Sequence, residues 1–271
     1  MINQVIMEMQ TISNYDIREG RTEIDFPYRD RKLTIIHPFF GPSNYLDVGK
    51  QILEKNLMVP TGDQLAAFLH AAYLGPEEFQ ISKPIREIRD EMISAKRYLR
   101  IFSKNLWTFE GVYVAEDPEV KGLAEELDPK KLESILNDSM ELDNGVRISG
   151  NGRIRFAPRD SYRFGEHTQE SLAKDGFVIA NYNINGAKQL AEVSKKFILE
   201  PKIRGVELGK DDKPVQSVSV LQVIYDYYGS RLGIDGLCID GPSDFKRYFY
   251  INTSYAFGIL SNLPEDTLNL R

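Results

Sequence analysis

Three aspartates near the end of the chain, Asp235, Asp240 and Asp244, lie among glycines in a stretch that reads as loops. Carboxylates gathered in loops can work as an acid and base pair in hydrolysis, or hold calcium. Turn chemistry alone also places aspartate beside glycine. A hydrolase built on these three residues is therefore the alternative reading, not the first. His37, His70 and His167 are far apart in sequence with no metal-ligand spacing between them. Cys238 is the single cysteine, so no internal disulfide is possible, which fits a reducing compartment. No glycine-rich phosphate loop follows a strand and opens a helix. No catalytic residue, cofactor or metal is expected.

A second kind of chemistry is recognition. Tyr225, Asp226, Tyr227, Tyr228, Ser230, Asp235, Asp244, Tyr248, Tyr250, Asn252, Ser254 and Tyr255 form a Tyr/Ser/Asp/Asn vocabulary punctuated by glycine. Such residues make antibody-like surfaces: tyrosine supplies amphipathic area at low entropic cost, and serine and asparagine supply adaptable hydrogen bonds. With Leu232 and Ile234 from the same loops, these are the candidate ligand-binding residues. The window 223–262 that holds them is also depleted. Lys, Gln, Glu, Met and Trp make up roughly one residue in four before it, which predicts about nine within it. It contains one, Lys246. These five are the amino acids that a pyrimidine-ended asparagine codon cannot become through changes in its first two bases. Glycine-rich strands and turns disfavour most of them as well.

The elements that must position this window come earlier. Lys32 to Phe40 reads as a strand closed by Gly41-Pro42. Ser43 or Asn44 caps a short helix from Tyr45 to Lys55, and Thr61 caps another through Tyr73, with Gln64 in a capping-box position. Leu65, Phe68, Leu69 and Ala72 form the buried stripe of that second helix. A charged helix over 84–96 is followed by strands at Tyr98 to Phe102 and Thr108 to Ala115, with Lys104-Asn105 as the turn and Trp107 as a core residue beside it. From Glu116 the chain becomes charged and helix-prone, and 116–212 reads as an inserted subdomain. Within it, Gly145 to Phe156 is a hairpin, Phe177 to Ala180 a short strand, and Asn185 the cap of a helix from Gly186 to Phe197. The arginines 147, 153, 155, 159 and 163 read as a solvated face offsetting nearby acids. Gln216 to Tyr225 is a strand, followed by glycine-punctuated loops over Gly229–Gly236 and Gly241–Asp244. In the last run, Phe249, Ile251, Phe257 and Ile259 share parity as a packed face, while Tyr248, Tyr250 and Asn252 point the other way.

The biased window, its ending Ala256-Phe257-Gly258-Ile259 and the early helix VPTGDQLAAFLHAAYL together resemble the variable proteins of diversity-generating retroelements, the archaeal kind in particular. In that family a C-terminal segment is rewritten by adenine-directed mutagenesis and displayed on a C-type lectin fold. The resemblance implies an α+β chain, 1–271 forming a single C-type lectin-like domain of two helices packed on small antiparallel sheets, with an inserted α/β subdomain. It implies a binder, not an enzyme: Phe249, Ile251, Ala256, Phe257 and Ile259 stay fixed and pack, and 223–262 forms a hypervariable ligand site. The partner is expected to be a protein or glycan on a cell surface. The paired signatures of calcium lectins are missing, and Cys238 lacks the partner that the lectin-fold formylglycine-generating enzymes require. An assembly or structural protein is the third reading.

Composition is compatible with this. A net charge of −6 argues against nucleic acid as partner, and no apolar run reaches membrane-spanning length. The opening residues MINQVIMEMQTISNYD show no basic region followed by an apolar core. No secretion signal is expected, which leaves the cytoplasm or a non-Sec export route.

Overall fold

The computed structural model describes residues 15–18, 21–93, 98–238 and 254–260. The expected loop Gly241–Asp244 and the first part of the last strand run, with Asp240, Asp244, Tyr248, Phe249, Tyr250, Ile251 and Asn252, lie outside the described residues.

The architecture is a mixed α+β one built on an open sheet. Strands β1 (Tyr15–Arg18), β2 (Arg21–Tyr28) and β3 (Arg31–Ser43) form a meander. β3 runs through Gly41-Pro42 rather than stopping there, because its far end pairs with the last strand. Asn44 caps helix α1 (Tyr45–Leu53) by accepting from the Asp47 N–H at 2.9 Å. Helix α2 (Gly62–Leu74) opens with the expected capping box, in which the Thr61 N–H donates to Gln64 Oε1 at 2.9 Å. The charged stretch that follows divides into α3 (Glu77–Ile81) and α4 (Lys83–Ile93).

Strand β4 (Tyr98–Trp107) passes straight through Lys104-Asn105, which the sequence suggested as a turn. Both residues are buried, and each has a side-chain partner that removes the cost of burial. Asn105 Nδ2 donates to Ser219 Oγ at 2.7 Å, and Lys104 Nζ bonds Glu125 at 2.6 Å. The real turn follows Trp107, where the Thr108 N–H donates to the Gly111 carbonyl at 2.8 Å, and β5 (Gly111–Glu116) returns.

The stretch expected as an inserted subdomain supplies α5 (Pro129–Ile135), β6 (Met140–Glu141), β7 (Arg147–Ile148), β8 (Ile154–Pro158), β9 (Gly165–Glu166), α6 (Gln169–Lys174), α7 (Gly176–Ser194) and β10 (Lys202–Arg204). The hairpin around Gly150-Asn151-Gly152 forms from β7 and β8, and β8 joins β5 in the common sheet. Phe177 to Ala180 is helical, not a strand. Asp175 starts α7 there by accepting from the Phe177 and Val178 N–H groups at 3.0 and 3.2 Å. The helix then breaks at Asn183, whose φ of 63° and ψ of 169° interrupt it before the segment expected from Gly186.

The last strands are β11 (Val215–Asp226), β12 (Gly229–Cys238) and β13 (Ser254–Leu260). The stretch Gly229–Gly236, expected as a loop, is strand β12. Two of its glycines are there for room. A Cβ on Gly236 would stand 2.7 Å from both Phe177 and Trp107, and one on Gly233 would stand 2.5 Å from Ile224. Sheet order runs β1-β2-β3-β13-β4-β11-β12-β10-β9, with β5, β8, β7 and β6 branching from β4. The small separate sheets expected are thus one hydrogen-bonded network, mostly antiparallel, with β13 parallel to β4 and β10 parallel to β12.

β13 lies at the centre of this network, antiparallel to β3, and both of its faces are covered. Phe257 packs at 4.4 Å from Phe39 and 5.0 Å from Phe68 of α2. On the other face, Ala256 belongs to a cluster with Ile36, Phe102 and Tyr45, Val48 and Ile52 of α1. The alternation expected along this strand therefore separates two interiors over 256–259, not an interior from a displayed face. Among the described residues, no helix is long and apolar enough to cross a membrane.

Candidate binding surface

Strands β11 and β12 form a long hairpin whose end carries the tyrosines. Val223 faces Leu232, Tyr225 faces Ser230 and Asp226 faces Gly229, leaving Tyr227-Tyr228 as a two-residue turn. Gly229 has a φ of 149°, which a glycine adopts at no steric cost. Ile198 packs over it: a Cβ there would stand 2.9 Å from the Ile198 Cβ.

The turn is braced from inside. Asp226 Oδ1 accepts from the Tyr228 N–H at 2.9 Å, and Asp226 Oδ2 accepts from Arg231 Nη2 at 2.8 Å. The buried Arg231 guanidinium also bonds Glu166 at 2.5 Å and the Glu200 carbonyl at 3.4 Å. The Tyr228 N–H, and then Arg231, hold the Asp226 carboxyl below the usual carboxylate range. Glu166 lies on β9, at the far edge of the sheet, and no local spacing in the sequence connects it to Arg231. The brace was consequently missed by sequence reasoning.

Exposure then rises steeply along the hairpin. Tyr225 is 46% exposed, Tyr227 95% and Tyr228 79%, while Val223, two pairs further in than Tyr225, is buried. The Tyr227 and Tyr228 rings meet edge to face with centroids 5.3 Å apart. Exposed Ile198 lies against Gly229, the residue that follows this pair.

Of the candidate site residues, Tyr225, Asp226, Tyr227, Tyr228 and Ser230 come together at this tip. Leu232 and Ile234 do not join them: both are core residues on β12, because their strand is central and its inner face meets the helices. Asp235 is also buried on β12 rather than free in a loop. Arg204 Nη2 bonds it at 2.6 Å, and Gln222 Nε2 donates to it at 3.1 Å. Ser254 and Tyr255 open β13, where Tyr255 pairs with Leu99 and Leu99 pairs in turn with Leu221 of β11. That register puts the start of β13 and the hairpin tip at the same end of the sheet. Tyr255 itself is half-buried and packs against the core.

The three histidines and part of the arginine cluster have structural partners. His37 approaches Glu91 at 3.8 Å, and His70 Nε2 meets Glu192 at 2.7 Å. His167 is held by the Arg163 carbonyl at 3.0 Å, and burial pushes its imidazole below the usual range. The arginine cluster is partly paired, Arg147 with Glu133 and Arg155 with Glu116. Trp107 is a core residue, its Nε1 donating to Ser217 Oγ at 2.7 Å.

Comparison with family models, with curated proteins and with solved structures returned no match to this chain.

Proposed function

We propose that this protein is a binder of the diversity-generating retroelement type, with a lectin-like frame that presents the β11–β12 tip and the start of β13 as a variable recognition surface. The observation that carries the reading is the contrast across one residue pair. Tyr225, Tyr227 and Tyr228 stand in solvent on a braced turn, while Val223 and Leu232, separated from Tyr225 by the single pair Ile224–Arg231, are core. A surface of that kind accepts substitution without loss of the frame.

The order of elements supports the frame. β3 is followed directly by α1 and α2, and β13 returns to pair with β3, so the chain's early and late strands are neighbours. The partner is a protein or a glycan on a cell surface, gripped by aromatic anchors that each contribute about 2 kcal/mol or more when truncated.

The test is a library randomised at Tyr225, Tyr227, Tyr228 and Ser230, displayed on phage and selected against protein and glycan arrays. Most members are expected to remain folded and distinct members to capture distinct targets. A library that mostly unfolds, or in which only the parental tyrosines survive, overturns the proposal. At the level of genes, a near-copy of the coding segment for 223–262 beside a reverse transcriptase gene is expected.

A further inference from the structure

The break in α7 opens a cleft that the hairpin does not use. Asn183 sits in a backbone region that glycine alone visits without strain, and it lines a cleft of about 610 Å³ between α2, α7 and the β2–β3 turn. That volume falls within the range of small-molecule sites. Its lining divides into groups already committed and groups still available.

Asp63 is committed. Its carboxylate accepts from the Tyr28 hydroxyl, from Arg29 Nη2 at 2.7 Å and from Thr61 Oγ1 at 2.6 Å. These bonds, largest for Thr61 and Tyr28, hold the carboxyl below its ordinary range despite burial. The same bonds fix Arg29 at the rim, where it also lies over the Tyr28 ring at 5.0 Å. His70 and Glu192 pair with each other. In contrast, the carboxamides of Asn183, Asn185 and Gln189 have no hydrogen-bond partner among the described residues, although all three line the one cleft.

We infer that this cleft binds a neutral saccharide of one or two rings. A carboxamide offers a donor and an acceptor side by side, as does each hydroxyl of a sugar, so three amides suit a polyol better than an ion. The charges in the lining balance, Arg29 and Lys188 against Asp63 and Glu192, which gives an anion or a cation no advantage. Pro27, Ala67 and Ile184 supply an apolar wall for the C–H face of a ring. This site is separate from the hairpin and does not depend on it.

The experiment titrates the full chain with glucose, galactose, mannose, N-acetylglucosamine and their disaccharides, with inorganic phosphate and spermidine as charged controls. Binding is read by saturation-transfer NMR and calorimetry. At least one saccharide is expected to bind, and Gln189→Ala and Asn183→Gly are expected to weaken it about tenfold, the loss of one hydrogen bond with its partner left unpaired. Asn183→Gly is also expected to melt at a higher temperature than the parent, since glycine relieves the break. Met140→Ala, at an exposed position outside both the cleft lining and the hairpin, is expected to leave saccharide binding unchanged. Absence of binding by every saccharide up to about 50 mM, tighter binding of phosphate or spermidine, or indifference to both cleft variants overturns the inference.

Discussion

Arg231 and Asp226 bond across the β11–β12 hairpin at 2.8 Å, one buried and the other at the turn. The contact ties the most exposed part of the candidate surface to the sheet interior. It lets the two tyrosines between them stand in solvent on a fixed platform instead of a loose loop.

Removing that tie is expected to loosen the turn without unfolding the sheet. Arg231→Ala leaves Asp226 and Glu166 without their cation, and both face water, so the cost is moderate: a fall in Tm of about 2–4 °C. The Asp226 carboxyl should then titrate nearer the ordinary carboxylate range, while the Tyr228 N–H still holds it partly down. Its contribution to stability is present above the unfolded-state pKa and is lost as pH falls through the depressed one. A carboxyl-carbon NMR titration of parent and variant measures the shift; an unchanged midpoint sinks the argument.

The tyrosines themselves are expected to be dispensable for folding. Tyr227→Ser and Tyr228→Ser, singly or together, should change stability by no more than about 0.5 kcal/mol per site in urea unfolding. By comparison, Leu232→Ala and Ile234→Ala, at neighbouring positions but buried, should each cost about 2–5 kcal/mol. Equal costs in the two sets would remove the physical basis of a variable surface.

Two glycines of β12 should behave differently. Gly236→Ala drives a methyl into the Phe177 and Trp107 rings, both fully buried, and is expected to cost about 1–3 kcal/mol. Gly233→Ala meets the end of the half-buried Ile224 side chain, which can rotate away, so its cost should stay below about 1 kcal/mol. Thermal melts of the pair decide the matter, and the reverse order would refute the packing reading.

Asp175, which caps α7, carries the pH dependence. Burial pushes its carboxyl up to about 6, against the Arg163, Val178 and Phe177 N–H groups that draw it down. A raised acid is favourable to folding when protonated. Its contribution is therefore complete below the unfolded-state value and is lost as pH rises through about 6. Parent stability should fall by up to about 3 kcal/mol between pH 4 and pH 7 from this group alone. Asp175→Asn keeps a capping oxygen and should flatten that slope in denaturant titrations; a slope of the same size in the variant counts against it.

Local chemistry wrote part of this structure directly into the sequence. Asn44 and Thr61 start α1 and α2 because each cap is completed within a few residues, and Gly150-Asn151-Gly152 turns a hairpin for the same reason. The shared parity of Phe257 and Ile259 was enough to mark them as packed, and tyrosines crowded with Ser, Asp and Gly were enough to mark the tip as a surface. Other features needed the third dimension. Lys104 and Asn105 stay in a strand because Glu125 and Ser219 come from elsewhere in the chain to satisfy them. The glycines of β12 read as loop residues until Trp107, Phe177 and Ile224 occupy the space their missing Cβ atoms leave. Leu232, Ile234 and Asp235 share a segment with the tip, yet only strand pairing decides which residues of that segment face the helices and which face water. A sequence states what each residue prefers; the partners that override those preferences are fixed only when distant strands are brought side by side.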